Sequence, residues 1–102
     1  MNRTLLVATS LALAAFAASA TAAGDPAAGK AKAGVCAGCH GANGEGKGTY
    51  PALAGKSQAE LASMLEDYKS GKRNNPMMHS FAAKLSDDDI ANLAAYYASL
   101  KK

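Results

Sequence analysis

The segment Cys36-Ala37-Gly38-Cys39-His40 contains both cysteines of the chain and one of its two histidines. Two cysteines three positions apart, followed at once by a histidine, form the attachment signal for a c-type haem. On a helical turn, side chains at this spacing lie on the same side, so both thiols could form thioether bonds to one haem. The imidazole of the next residue could then bind the iron. The pattern therefore predicts one covalently bound haem.

Three other uses of a Cys-x-x-Cys pair fit the sequence less well. A zinc site needs four ligands, and outside the motif only His79 remains as a further histidine or cysteine. A site for thiol–disulfide exchange is usually found near a βαβ pattern, which this sequence lacks. A structural disulfide is allowed outside the cytoplasm. However, closing a loop of so few residues stabilises a protein only slightly.

The first 22 residues have the three-part pattern of a secretory signal peptide. Arg3 gives a basic start, an uncharged apolar run follows over 5–17, and small residues occupy 18–23. The apolar run is short for a transmembrane helix, and no charged stop-transfer segment follows it. We therefore predict a signal peptide at 1–22, cleaved within two or three residues of Ala23, and one mature domain at 23–102 with no membrane span.

The predicted mature domain is poor in large apolar residues. Leu, Ile, Val and Phe together number nine in residues 23–102, which is roughly 11% and well below the ~20% under which chains tend to stay disordered. A domain of this size rarely stabilises itself without a disulfide, a metal or a similar addition. The composition thus predicts that a bound group completes the core. The net charge of +3 for the whole chain is too small to indicate a nucleic-acid partner.

Three main helices are predicted, and no strands, because β-branched residues are rare after residue 22. The first helix begins at Asp25-Pro26, an acidic N-cap followed by a proline, and runs towards Cys36. The second begins at a capping box formed by Ser57 and Glu60 and ends at Gly71.

The third helix begins at Ser86, and its first turn holds the acidic run 87–89. We assign these aspartates to helix capping rather than to a metal site. Apolar residues recur at helical spacing in the second helix at Leu61, Met64, Leu65 and Tyr68, and in the third at Ile90, Leu93, Ala94, Tyr97 and Leu100. Segments 41–56 and 72–80 are predicted to be loops.

Residues 23–102 resemble the small single-haem class I cytochromes c of bacteria, of the short periplasmic type. They also resemble one domain of the two-haem cytochromes that arose by duplicating it. The likeness rests on residues 36–41 (Cys-Ala-Gly-Cys-His-Gly), on 51–55 (Pro-Ala-Leu-Ala-Gly), on Met78 seven positions before Leu85, and on 85–97. It implies an all-α class I cytochrome c fold, with three main helices and long loops wrapped around one covalently bound haem c.

The resemblance also implies a second protein ligand to the iron. This ligand is a methionine, and the spacing to Leu85 favours Met78 over Met77, its neighbour in the same loop. His79 would instead give a bis-histidine site. Met64 lies on the apolar stripe of the second helix and is assigned to the core.

Further contacts to the haem follow from the same resemblance. The Pro51 carbonyl is expected to accept a hydrogen bond from the second ring nitrogen of His40. Leu53 and Leu65 are expected to pack on the porphyrin. The last helix is expected to cross the first. At this crossing, the small residues Gly29 and Ala33 of the first helix leave room for Leu93 and Tyr96 of the last helix.

This coordination predicts the function. Two protein ligands leave no open position on the iron, so the remaining chemistry is one-electron transfer. We expect a monomeric, non-enzymatic periplasmic carrier that takes electrons from a cytochrome bc1 complex or a dehydrogenase and passes them to a terminal oxidase. The alternative is a haem-based sensor or peroxidase in which Met78 leaves the iron. Docking is expected through basic residues set apart from the carboxylates: Lys47, Lys56, Lys72, Arg73 and Lys84.

Overall fold

The structure is a computed structural model that describes residues 24–100, so the predicted signal peptide lies outside the described residues. Within this range the chain forms five helices: α1 Pro26–Lys32, α2 Gly34–His40, α3 Gln58–Ser70, α4 Pro76–Ala82 and α5 Asp87–Ser99. The same residues form no strand, only an isolated bridge between Lys47 and Tyr50. The predicted all-α class is therefore confirmed. No helix within 24–100 is both long enough and apolar enough to cross a bilayer.

The first predicted helix is in fact two helices separated by a turn at Ala33. The amide of Ala33 donates to the carbonyl of Lys30, only three residues back, at 3.2 Å. Gly34 then begins α2, which continues past Cys36 to His40. The position that a Cβ on Gly34 would occupy has no neighbour within 4 Å, so no packing holds the chain in one straight helix there. As a result, the whole attachment motif is helical.

The prediction of a loop over 72–80 is wrong for its second half, where α4 begins. Asn75 is the N-cap, and its side chain accepts a hydrogen bond from the amide of Met78 at 3.0 Å. Pro76 occupies the first helical position. Both residue types are typical helix starts. The helix was missed because it is only two turns long and shows no complete apolar stripe.

The predicted boundaries of α3 and α5 follow from their caps. The Ser57 hydroxyl accepts the amide of Glu60 at 3.1 Å, and Gly71 ends α3 in the left-handed region at φ 84°. At α5, Ser86 and Asp89 form a complete capping box with both bonds at 3.0 Å. The backbone hydrogen bond from Ser86 lowers the pKa of Asp89. Capping is therefore confirmed as the role of this aspartate.

The core lies where α5 crosses α1 and packs on α3. Its buried residues are Ala33, Leu61, Leu93, Ala94, Tyr96 and Tyr97. The closest approach is at Gly29, where an added Cβ would collide with the carbonyl oxygen of Asn92 and lie 2.8 Å from the Cβ of Tyr96. The predicted crossing of the first and last helices is thus confirmed. An ion pair between Lys32 and Asp89 at 3.5 Å joins the same two helices at the surface.

Gly29→Ala is expected to destabilise the fold, because the new methyl group has no room against α5. Overpacking of this kind costs about 1–3 kcal/mol. Gly34→Ala is the matched control, since that site is open and alanine favours a helix over glycine. Denaturant unfolding of the haem-loaded proteins measures both free energies of unfolding. Equal stability of the two variants would contradict the close crossing.

Candidate haem site

A cavity of about 260 Å³ opens between α2, α3, α4, α5 and the loop over 41–56. Its wall is mainly apolar. It brings together every residue predicted for the haem site, which the sequence places on three helices and a loop: Cys36, Cys39, His40, Pro51, Leu53, Leu65, Met77 and Met78.

His40 ends α2 and is held in one orientation. Its side chain is buried, and its Nδ1 lies 2.8 Å from the carbonyl oxygen of Pro51. Because a carbonyl only accepts, Nδ1 carries the proton and donates. The lone pair of the neutral ring is then on Nε2, which is the form of imidazole that binds iron. The structure thus contains the hydrogen bond predicted between these two residues.

The glycine-rich loop brings Pro51 back over His40. The carbonyl of Gly44 accepts the amides of Leu53 and Ala54, at 2.8 and 2.9 Å, which closes the loop on itself. Gly44 has a φ of 66°, and an added Cβ would lie 2.7 Å from the ring of Tyr97. Only glycine suits both the backbone and this close approach. The loop is therefore packed directly against α5.

The two cysteines are free thiols on the cavity side of α2. Burial raises the pKa of the Cys36 thiol, and a hydrogen bond with Tyr97 acts in the opposite direction. Burial also raises the pKa of Tyr97. The burial of Cys36 disfavours the thiolate on which thiol–disulfide exchange depends.

Two methionines reach the cavity from α4, and a third reaches it from α3. Met78 is half-buried, whereas Met77 is 52% exposed at the cavity edge. Met64 is half-buried and also lines the cavity. The core residue Leu61 of the same α3 stripe lines the cavity as well, so the core and the cavity wall are continuous along α3.

His79 does not line the cavity. Its Nδ1 lies 2.8 Å from the carbonyl oxygen of Tyr68, so the ring is hydrogen-bonded to α3. This arrangement argues against a bis-histidine site. Because His79 directly follows Met78 on α4, its side chain leaves the helix in a different direction.

The predicted separation of basic and acidic residues is not found around α3. Arg73 Nε lies 3.9 Å from Asp67, and the guanidinium carbon lies 5.6 Å from the centre of the Tyr68 ring. Lys56 Nζ lies 4.0 Å from Glu60. The chain turns back after α3, where the Arg73 amide donates to the Asp67 carbonyl at 3.1 Å, and this turn brings the opposite charges together.

The cavity edge is marked by apolar side chains instead. Among the described residues, the large apolar side chains that remain exposed are Val35, Tyr50, Met77 and Phe81. All four also line the cavity, and we call them the apolar rim. A bound haem would cover the parts of these side chains that face the cavity, and the parts that remain outside would form an apolar patch of the kind that marks a contact surface.

In this all-α domain, the two thiols of a Cys-x-x-Cys-His motif, an oriented imidazole and a thioether meet in one apolar cavity. This combination defines a c-type haem protein. A family model described as Cytochrome c matches residues 26–101. The chain belongs to the cytochrome c family and accordingly binds haem c covalently. The residues present fit this group, because the donor set and the apolar wall converge on one cavity.

Three proteins illustrate the relationship. Cytochrome c-554(548) of Halomonas halodenitrificans is 47% identical over 72 residues, covering 67% of this chain and 87% of that protein. The thiosulfate dehydrogenase electron acceptor of Thiomonas intermedia is 42% identical over 72 residues, covering 69% and 33%. The crystal structure of reduced recombinant cytochrome c4 from Pseudomonas stutzeri matches with a TM-score of 0.73 and 36% sequence identity. The match covers 78% of this chain and 47% of that chain. The matched segment therefore spans most of the first protein, but only a third to a half of the other two.

Proposed function

We propose that this protein is a one-electron carrier whose single haem is attached through Cys36 and Cys39 and ligated by His40 and Met78. The observation that carries this proposal is that an oriented imidazole and a half-buried thioether line the same apolar cavity as the two thiols. When bound, the haem iron supplies a one-electron couple between Fe(III) and Fe(II). With both protein ligands in place, no position on the iron remains for a substrate.

The protein residues tune and protect this couple. The bond from His40 to the Pro51 carbonyl fixes the ring and raises the basicity of the coordinating nitrogen. A methionine ligand and an apolar wall both favour the reduced state, and so raise the reduction potential. Covalent attachment prevents the haem from being lost into a large compartment. Each of these contributions suits a carrier that must keep its cofactor between encounters.

We place the carrier in the periplasm, because residues 1–22 read as an export signal and haem c is attached outside the cytoplasm. A relative named as the electron acceptor of thiosulfate dehydrogenase supports a dehydrogenase as the donor. A cytochrome bc1 complex is the other candidate donor, and a terminal oxidase is the candidate acceptor. The apolar rim is the proposed docking face of a monomer, with nearby lysines contributing to the approach.

The proposal is tested on the purified, haem-loaded protein with an optical spectrum and a redox titration. We expect a methionine–iron charge-transfer band in the ferric form at neutral pH and a titration that fits one electron. A high-spin, water-ligated ferric spectrum would instead favour the sensor or peroxidase. Intact-mass measurement on the same sample should give a chain that starts within two or three residues of Ala23 and carries one haem.

A further inference from the structure

We infer that His79 is a positioning residue that ties α4 to α3 and thereby holds Met78 at the cavity. The inference rests on the proposed assignment of Met78 as an iron ligand. His79 takes no part in the cavity wall, and the proposed function gives it no role. The single described hydrogen-bond partner of its ring is the carbonyl of Tyr68, which accepts from Nδ1 at 2.8 Å.

The bond connects the two helices that form one side of the cavity. Tyr68 is in the last turn of α3, and its carbonyl also accepts the amide of the C-cap residue Gly71 at 3.3 Å. Its side chain lines the cavity, as does that of Met64 one turn earlier. His79 is the residue after Met78 on α4. A hydrogen bond at this point therefore fixes the position of Met78 relative to α3.

A second bond of the same kind fastens the end of the segment. Lys69 Nζ donates to the carbonyl of Leu85 at 2.6 Å, in a partly buried position. Lys69 follows Tyr68 on α3, and Leu85 lies just beyond the end of α4. Two consecutive residues of α3 thus hold α4 at its middle and at its C-terminal side.

The helix α4 depends on contacts with its surroundings. It has only seven residues, and helices of this length are unstable on their own. Ala82 is its one buried residue. Met77, Met78 and Phe81 line the cavity, so a bound haem would add contacts to α4 on that side. The hydrogen bonds to α3 hold α4 to its neighbouring helix and act together with those contacts.

The test measures how often α4 opens, using cyanide binding to the ferric haem protein, which requires Met78 to leave the iron. His79→Ala removes the donor and is expected to speed cyanide binding roughly two- to tenfold, the population shift expected for one hydrogen bond. The charge-transfer band should weaken on warming before the far-UV circular dichroism changes. His79→Asn, which keeps an N–H donor close to the position of Nδ1, should restore the original rate.

Three controls separate a local tie from general destabilisation. Ser80→Ala changes the next exposed residue of α4 and should leave the rate unchanged. Lys69→Met removes the second donor while keeping the aliphatic stem, and should also speed binding. Gly29→Ala destabilises the fold at a distance from α4, so its cyanide rate should stay close to that of the parent protein.

Amide hydrogen exchange gives a readout that does not depend on the iron. In His79→Ala, exchange should become faster in α4 and stay unchanged in α5. The inference is overturned if His79→Ala binds cyanide at the parent rate, or if Gly29→Ala accelerates binding equally. If Met78→Ala also fails to open the iron, then the ligand assignment has failed. If Met78→Ala opens the iron and His79→Ala has no effect, only the tie has failed.

Discussion

A Cys36→Ala, Cys39→Ala double variant is expected to accumulate as an unfolded or degraded chain. The residues described as buried are few, and Ala33, Ala54, Ala82, Ala94 and Ala95 are prominent among them. Such side chains bury little apolar area. At ~25 cal/mol per Å² of buried apolar area, they therefore contribute little free energy to folding. Without the haem, the cavity between α2, α3 and α4 would also expose its apolar wall to water.

Far-UV circular dichroism and protease resistance of the expressed protein measure this outcome. Gly38→Ala is the matched control, because Gly38 lies between the two cysteines and an added Cβ there would have no neighbour within 4 Å. This variant should fold and carry haem at the parent level. A helical, cooperatively unfolding and haem-free double variant would show that the polypeptide builds its own core, contrary to our expectation.

Met78→Ala is expected to leave a folded haem protein with one open position on the iron. Cyanide should then bind the ferric form, and carbon monoxide the ferrous form, far faster than the two- to tenfold effect expected for His79→Ala. The reduction potential should fall, because a thioether favours Fe(II) and water does not. The charge-transfer band should disappear. Optical spectra, ligand-binding kinetics and a redox titration measure the three effects.

Met77→Ala is the control for this assignment. Met77 also lines the cavity, but it is 52% exposed and belongs to the apolar rim. Its removal should leave the spectrum and the ligand-binding rates unchanged. If Met77→Ala alone allows cyanide and carbon monoxide to bind fast, the iron ligand is Met77, and the assignment from the spacing to Leu85 is wrong.

The site was largely predictable because its chemistry is concentrated in a short motif. The residues over 36–40 predict the haem, its attachment and one ligand without any knowledge of the fold. The contact between His40 and Pro51 needed the family resemblance, since no local rule joins residues 11 positions apart. The loop that makes this contact depends on glycines such as Gly44. Only the structure shows why a glycine is required there, because a Cβ would collide with the ring of Tyr97.

The errors occurred where tertiary packing determines the structure. α4 has helix-starting residues, but it lacks a full stripe of apolar side chains because one side meets the cavity and another meets solvent. Arg73 was expected to be free of carboxylates, but the turn after α3 places Asp67 beside it. None of these outcomes follows from the periodicity of one segment.

The crossing of the first and last helices has a consequence for the time at which the chain can fold. The Asp25 amide donates to the side chain of Asn92 at 2.7 Å across 67 positions of sequence, and Gly29 packs against the same part of α5. Closing such a long loop is entropically costly until the late contacts have formed. The core therefore cannot assemble until α5 has been synthesised. Until then the Cys36 thiol remains reachable for attachment chemistry, because Tyr97, its hydrogen-bond partner, is not yet in place.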